Sequence, residues 1–483
     1  MLKKHGTNLM KFSLALFLAS SFVLANPLPK ETHNIITKRM EKAQQRHGIF
    51  GQSLAILQDG ELVYLGSTGL ANIEFNIPAS PDTVYSIYSA TKLFVSIRLL
   101  QLVEQEKLAL TETLGNHFPE LPVKWRSVTV LEALSHISGL PEYSLETMTH
   151  ISGQDAIANA ANKPMEFATG TKTGYNQTNF YYMQKLIEKF DSSTLEETIT
   201  TNMIVPLGLD NTSFGGEFDV IEGRATRYEG SKNGNKRVMR NDPPSYYYGA
   251  NGMNSSVKDI AKWFHALLNE EFISLALLRK AWQPIWLSSG QNARHTHGWE
   301  YKEVNGFTAV GHYGANLVNV RHFFSEDIKH DSVTVIHLTN GRSEHFNPLD
   351  FSYSLASEIK QEMKTPIRTL KEVMLDMLEA NTFKEAREHY LEFKVKNPEL
   401  STMTEEMLNS LGYLVLTSMN VESAIKIFEL ACEEYPDSAN AFDSLAEAYL
   451  EYGDEIKAKL NYQKALSMDK DNARISTILE RLN

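Results

Sequence analysis

Ser86-Ile87-Tyr88-Ser89-Ala90-Thr91-Lys92, followed by an apolar run from Leu93 to Leu102 that only Ser96, Arg98 and Gln101 interrupt, is the stretch on which the reading of this chain turns. The run predicts a buried helix. Ser89 and Lys92 stand three positions apart at its mouth, which puts both on one helix face with Cβ atoms about 5–6 Å apart. The lysine amine can then reach the serine hydroxyl. Burial beside Phe94, Ile97 and Leu100, close to the positive end of the helix, disfavours the ammonium form, so Lys92 is expected to be neutral part of the time and to serve as a base. The free amides at the helix start favour a developing oxyanion. A nucleophile and a base so placed make hydrolysis the leading expectation.

Outward from that helix, strand patterns stand at both ends of one domain. Gly51 to Gln58 and Glu61 to Ser67 are β-rich runs joined by Asp59-Gly60, a strong hairpin signal. A helix-rich and loop-rich middle extends from Ser89 to about Leu268. Strand patterns return at Gly298 to Val304, Phe307 to His312, Val318 to Phe324 and Ser332 to Leu338, and a helix from Pro348 to Met363 closes the unit. Antiparallel strands from both ends with helices inserted between them define an α+β layered domain.

At 483 residues the chain is long enough for two to four domains. A hydrophobic content of 42% and a charged content of 22% are ordinary for a globular protein. The formal charge of -12, and the lack of a Gly-x-x-x-x-Gly-Lys loop, argue against nucleic acid as a partner. Lys3, Lys4 and Lys11 precede an apolar stretch from Phe12 to Leu24, and small residues Val23 and Ala25 come before Asn26-Pro27, so residues 1–25 read as a signal peptide cleaved after Ala25. The apolar stretch is shorter than the roughly 20 residues that span a bilayer. Export to the periplasm or medium, without a stable membrane anchor, is the expectation. Cys432 is the single cysteine, which excludes an internal disulfide and a lipid-modified cysteine at the cleavage site.

Ser89-Ala90-Thr91-Lys92 is followed by Tyr175-Asn176-Gln177 and by His312-Tyr313-Gly314. Together these resemble the active-site triplet of the serine β-lactamase and penicillin-binding-protein superfamily, and most closely its class C-like branch, which includes D,D-carboxypeptidases, D-aminopeptidases and β-lactamase-fold esterases. The resemblance covers residues 33–363. Leu134 to Leu140, Phe167 to Gly170, Asn251 to Ser255 and Gly298-Trp299-Glu300 support it. It implies an antiparallel sheet flanked by helices plus an all-helical subdomain, and no cofactor or metal. It also implies Ser89 as acylated nucleophile, with Lys92 and Tyr175 sharing base and proton-shuttle work. The backbone amides of Ser89 and Ala315, on the strand after Gly314, would form the oxyanion hole. Gly314 would let substrate approach that strand, and His312 would line the far wall and hydrogen-bond Tyr175 or the substrate.

Two departures from the family pattern bear on substrate. Gln177 stands where the second motif usually ends in Asn, and so offers its amide one methylene farther out. His312 stands where β-lactamases usually place Lys, which removes a permanent cation for a substrate carboxylate. The expectation is therefore an ester or D-amino-acid amide or peptide as substrate. A true β-lactamase, or a non-catalytic scaffold that only recognises its ligand, are the alternatives.

Other polar residues read as structural. His136 and Ser138 are expected to hydrogen-bond in a helix-end turn. His295-Thr296-His297 is expected in a solvated loop, since no acidic or cysteine partner lies at metal-ligand spacing. Tyr246, Tyr247 and Tyr248 either line a cleft or pack on the body, and Asn233-Gly234-Asn235 within the basic stretch Lys232 to Arg240 reads as an exposed turn.

Residues 366–483 differ in kind. Leu411, Gly412, Ala424, Phe428, Ala431 and Asp437 recur 34 residues later as Leu445, Ala446, Ala458, Tyr462, Ala465 and Asp471. That period and pattern resemble tetratricopeptide repeats. Lys470 departs from the usual proline, and a weaker first unit fits Ala386, Tyr390 and Pro398. Such a stack implies docking on the hydrolase domain, a peptide partner in its concave groove, or self-association. Cys432 is expected to be inert core.

Overall fold

Asp59 and Gly60 both adopt positive φ, 52° and 82°, and this two-residue turn joins β1 (Gly51–Gln58) to β2 (Glu61–Asn72) as the Asp-Gly signal requires. The computed structural model describes residues 27–143, 151–216, 218–230, 236–240, 242–342 and 346–482. The expected leader at residues 1–25 and the turn at Asn233-Gly234-Asn235 lie outside them.

The remaining strands of the main sheet are β3 (Ile77–Pro78), β4 (His295–Thr296), β5 (Trp299–Val304), β6 (Phe307–Gly314), β7 (Val318–Phe324) and β8 (Ser332–Thr339). The sheet order is β3-β2-β1-β8-β7-β6-β5-β4. The chain's early hairpin and its later meander meet at β1 and β8, antiparallel from Gln52 opposite Thr339 to Gln58 opposite Val333. β2 runs five residues past the expected Ser67. β4 is a strand where a solvated loop was expected.

Helices cover both faces. α1 (Lys30–His47) opens the described chain, and α2 (Thr91–Glu104), α3 (Gln177–Asp191), α4 (Val257–Leu268) and α5 (Pro348–Ile359) follow, with a 3₁₀ turn at Gln361–Met363 ending the helix expected to reach Met363. The period of two along β1 divides the core: Leu54 and Ile56 pack with Met40 of α1 and Tyr353 and Leu355 of α5 on one face. Ala55 and Leu57 join Phe94 and Ile97 of α2 and Phe264 of α4 on the other. α2 is buried all round from Thr91 to Leu102, so its polar interruptions need partners. Ser96 donates to the His297 carbonyl at 2.5 Å and accepts from the Trp299 indole at 2.9 Å, while Arg98 pairs with Asp191 of α3. The subdomain between α2 and α4 is helix- and loop-rich, as expected.

Beyond Thr365 the described chain is helical: α6 (Pro366–Glu379), α7 (Phe383–Lys396), α8 (Ser401–Ser418), α9 (Val421–Glu434), α10 (Ala439–Tyr452), α11 (Glu455–Met468) and α12 (Ala473–Arg481). These form a core of their own. Leu411, Ala424, Phe428 and Ala431, and their counterparts Leu445, Ala458, Tyr462 and Ala465, are all buried, as are Ala386 and Tyr390. A Cβ on Gly412 would lie 2.4 Å from the Phe428 ring, so α8 and α9 approach closely only because that position is bare. Burial pushes the Cys432 thiol up to about 12, which keeps it unreactive.

The array rests on the first domain through charge. Lys42 of α1 reaches Asp376 at 2.6 Å, Arg46 reaches Glu379 at 2.7 Å, and Arg39 reaches Glu372 at 2.8 Å and Glu358 as well. The three acids lie along one face of α6, four and three residues apart. Arg368 of α6 adds Asp350 at 2.8 Å and stacks 4.3 Å from the centre of the Tyr353 ring.

Candidate active site

Ser89 lies in a 3₁₀ turn, Tyr88–Ala90, immediately ahead of α2 rather than within its first α-turn. Tyr88 takes φ of 47°, a left-handed conformation costly for an aromatic residue. Two backbone bonds hold it: Ile87 N–H donates to Met253 O at 3.0 Å and Ala90 N–H to Ile87 O at 3.0 Å. Gly314, at the end of β6, abuts this turn. A Cβ there would stand 2.3 Å from the Ile87 carbonyl oxygen, so it is the serine turn, rather than a substrate as expected, that requires the missing side chain.

Lys92 is fully buried, with Nζ 3.3 Å from Ser89 Oγ and donating to the Ala250 carbonyl at 2.7 Å. Burial lowers its pKa to about 7, opposed by the carboxylates of Glu142 and Glu300. Tyr175 O–H donates to Ser89 Oγ at 2.7 Å. The residue as a whole is 43% exposed, but burial around its hydroxyl raises the phenol pKa, so it stays protonated. The hydroxyl, amine and phenol of three distant stretches therefore meet.

Asn176 makes that convergence possible. It is the N-cap of α3, its side chain accepting from Asn179 N–H at 3.1 Å and donating to Leu140 O at 2.7 Å, which sets Tyr175 just outside the helix and Gln177 on its first turn. The Gln177 side chain also hydrogen-bonds the Tyr175 phenol, and its Oε1 is buried without a partner. The second hydrogen bond of Lys92 goes to Ala250. His136, at φ 56°, supports the same turn: its Nδ1 accepts from Asn176 N–H at 3.1 Å while its ring lies 4.6 Å from that of Tyr175. Ser138 donates to Asn179 at 2.7 Å. Both are hydrogen bonders in the structure.

His312 is 1% exposed and held well below the ordinary histidine pKa by burial and by Lys92. Its Nδ1 lies 2.7 Å from the Tyr313 carbonyl and so carries the proton, leaving Nε2 bare and without a partner. It meets Tyr175 ring to ring at 6.0 Å rather than through a hydrogen bond. Ala315 lies past the end of β6, in the turn to β7 at φ 50°, and not on the strand as expected. Of the three tyrosines, Tyr247 is buried and packs edge-on to Tyr143, which settles it as body packing.

Three more residues border the site: Glu142, which the sequence reading missed, and Glu300 and His295, which it named without placing there. Glu142 follows the Leu134–Leu140 stretch; its Oε2 accepts from Gln177 N–H at 2.8 Å, its Oε1 is buried without a partner, and burial raises its pKa to about 7. Glu300 is held by Arg321 and lies 3.7 Å from His312 Nδ1. His295 is 6% exposed, its ring 5.6 Å from that of Tyr175. The solvated loop expected for His295 to His297 is instead a buried strand and turn, and Glu300 supplies the acidic neighbour thought to be missing. The signal was present: His297 and Gly298, at φ 48° and 86°, form a two-residue hairpin turn that sets Glu300 opposite His295.

This fold and geometry agree with what comparison with known proteins finds. The Beta-lactamase family model matches residues 34–355, and the chain belongs to that family. It is 25% identical over 273 residues to a D-aminopeptidase of Gluconobacter oxydans (strain 621H), covering 55% of this chain and 51% of the relative, so it spans about half that protein's length. Among solved structures it is similar to the octameric penicillin-binding protein homologue from Pyrococcus abyssi, with TM-score 0.57 and 25% identity over 72% of this chain and 81% of that one. The D-amino acid amidase from Ochrobactrum anthropi SV3 shares the fold, with TM-score 0.57 and 20% identity over 69% and 99%.

Proposed function

We propose that the chain is an exported serine hydrolase that forms an acyl-enzyme on Ser89 with a D-amino-acid amide, short peptide or ester. The observation that carries this reading is Ser89 Oγ lying 2.7 Å from a protonated phenol and 3.3 Å from a lysine held near neutrality. Neutral Lys92 takes the Oγ proton as Oγ attacks the substrate carbonyl, and the Tyr175 O–H steadies the oxygen. The amides of Ser89 and Ala315 receive the oxyanion. As the tetrahedral adduct collapses, Tyr175 gives its proton to the leaving amine or alcohol and regains one from Lys92. Water then repeats the sequence on the acyl ester. Acid–base help of this kind contributes about 10²–10⁴-fold.

Two features support an amine-bearing substrate over a carboxylate-bearing β-lactam. His312 is neutral and buried where a cation would be needed, and Glu142 presents an unpartnered oxygen near Lys92 that suits an ammonium group. The D-aminopeptidase among the relatives supports the same choice. Fluorophosphonate labelling should mark the wild type and spare Ser89→Ala, and equal labelling of the two would refute catalysis at this serine. In a panel of short esters, D-amino-acid amides, D-Ala-D-Ala peptides and a chromogenic cephalosporin, esters and amides are expected to turn over faster. The reverse order would favour the β-lactamase reading, and no turnover with no label would favour the scaffold.

The C-terminal helices are proposed to be tetratricopeptide-type repeats that recruit a protein partner. Ile456 and Leu460, one turn apart on α11 and 77% and 60% exposed, support a partner-facing surface. Export completes the proposal, and N-terminal sequencing of the secreted protein should begin at Asn26. Among the described residues no helix is long and apolar enough to cross a membrane.

A further inference from the structure

Neither ring nitrogen of His295 has a hydrogen-bond partner, although the residue is 6% exposed. Buried polar groups are rarely left so. His312 Nε2 is in the same condition. The two histidines and Glu300 come from β4, β6 and β5, three adjacent strands in which Glu300 is paired with His295 on one side and with Gly311, next to His312, on the other. Among the described residues, one ligand atom from each of the three lies within 4.8 Å of those from the other two.

We propose that His295, Glu300 and His312 form a binding site for a divalent transition-metal ion of the Zn²⁺ type, whose occupancy inhibits the hydrolase. Two imidazoles and one carboxylate suit Zn²⁺ rather than Mg²⁺ or Ca²⁺, which require oxygen ligands, and three protein ligands leave a fourth position for water. Tetrahedral coordination at about 2.0–2.1 Å sets ligand atoms ~3.4 Å apart. The site must therefore close by roughly an ångström, and His295 has no hydrogen bond to give up in moving. His312 offers the unpartnered Nε2 as its ligand atom, because its Nδ1, 3.7 Å from Glu300, gives its proton to the Tyr313 carbonyl, the kind of outer contact that orients a metal-ligating imidazole. Arg321 holds one oxygen of Glu300 and shares its charge, so the ion is held weakly and reversibly. It would sit beside Tyr175, whose ring centre is 5.6 Å from that of His295 and 6.0 Å from that of His312. A dication there opposes the proton relay, a consequence that rests on the hydrolase reading, whereas binding itself does not.

Zinc titration of the full chain by calorimetry, with bound metal counted by mass spectrometry, tests the site directly. One Zn²⁺ per chain is expected, with affinity lowered about tenfold or more in His295→Gln and unchanged in His330→Gln, an exposed histidine. Zinc-edge X-ray absorption on the wild type, which needs no variant to fold, should count two imidazoles in the shell. No bound zinc at millimolar free metal, equal affinity in His295→Gln, or a shell without imidazole would overturn the proposal. Zinc should also slow fluorophosphonate labelling of Ser89, and chelation should restore it; binding without slowing overturns the inhibitory part. Labelling that fails in metal-free protein instead counts against the hydrolase, with the binding measurement standing apart.

Discussion

Lys92 carries both the proposed base role and its energetic cost in one side chain. Its pKa near 7, against 10.5 for a free lysine, means that the unfolded chain binds a proton more tightly than the folded one between those values. Stability therefore rises as pH increases from about 7 towards 10, and Lys92→Met should gain over the wild type most at pH 7 and least at pH 10, as denaturant titrations at the two pH values would show. The same shift predicts that Ser89 acylation increases with pH through about 7, while Lys92→Met, which stays folded, loses about 10²–10⁴-fold above pH 7 and progressively less below it. Tyr175→Phe separates the two proton tasks. It should reduce amide hydrolysis by about 10²-fold or more yet slow fluorophosphonate labelling far less, because departing fluoride needs little protonation. Equal losses in both assays would remove Tyr175 from the leaving-group step.

At the scale of elements, the site depends on two close fits that carry no chemistry. Gly314→Ala would drive a methyl group into the Ile87 carbonyl at 2.3 Å, so the serine turn must shift. A loss of about 1–3 kcal/mol in stability and a large drop in Ser89 labelling are expected, measured by thermal melting and labelling rate together. Asn176→Ala removes the α3 cap and should cost about 1 kcal/mol. Its larger effect should be on rate, since Tyr175 is placed by that cap. Ser89 and Lys92 were legible in the sequence through residue type and local spacing, and Tyr175 and Gln177 through the resemblance to the family's second motif. Glu142 was not, because its meaning depends on a loop folding back over α3, and the place of His295 and Glu300 shows only once the His297-Gly298 turn is read as the hairpin that fixes their register. The turn at Ala315 likewise shows only once β6 is known to end at Gly314.

Across the whole molecule, α1 links the helical array to the sheet face opposite α2. Partly exposed ion pairs are each worth about 0–1 kcal/mol and weaken with salt. The charge reversals Lys42→Glu and Arg46→Glu should therefore loosen the array, seen as a larger radius in small-angle scattering, and high salt should mimic them in the wild type. Ser89 labelling should hold steady, because the seam and the Ser89 cleft lie on opposite faces of the sheet. An unchanged radius would show that these ion pairs do not hold the array in place.

The sequence by itself determined the alternation of strands, the buried α2, the serine, lysine and tyrosine at their stations, and the 34-residue recurrence of small and large side chains. Each of these is a local pattern along the chain, set by periodicity or spacing except for the tyrosine, which the resemblance to the family's motif marked out. Only the tertiary structure decided that His295, read as solvated, faces Glu300 beside His312, that Gly314 makes room for the serine turn, and that acids on α6 meet bases on α1. The last two join residues hundreds of positions apart, and the first brings His312 from a neighbouring strand. The physical reason is that burial, strand register and charge pairing belong to the packed assembly, and no stretch of chain carries them alone.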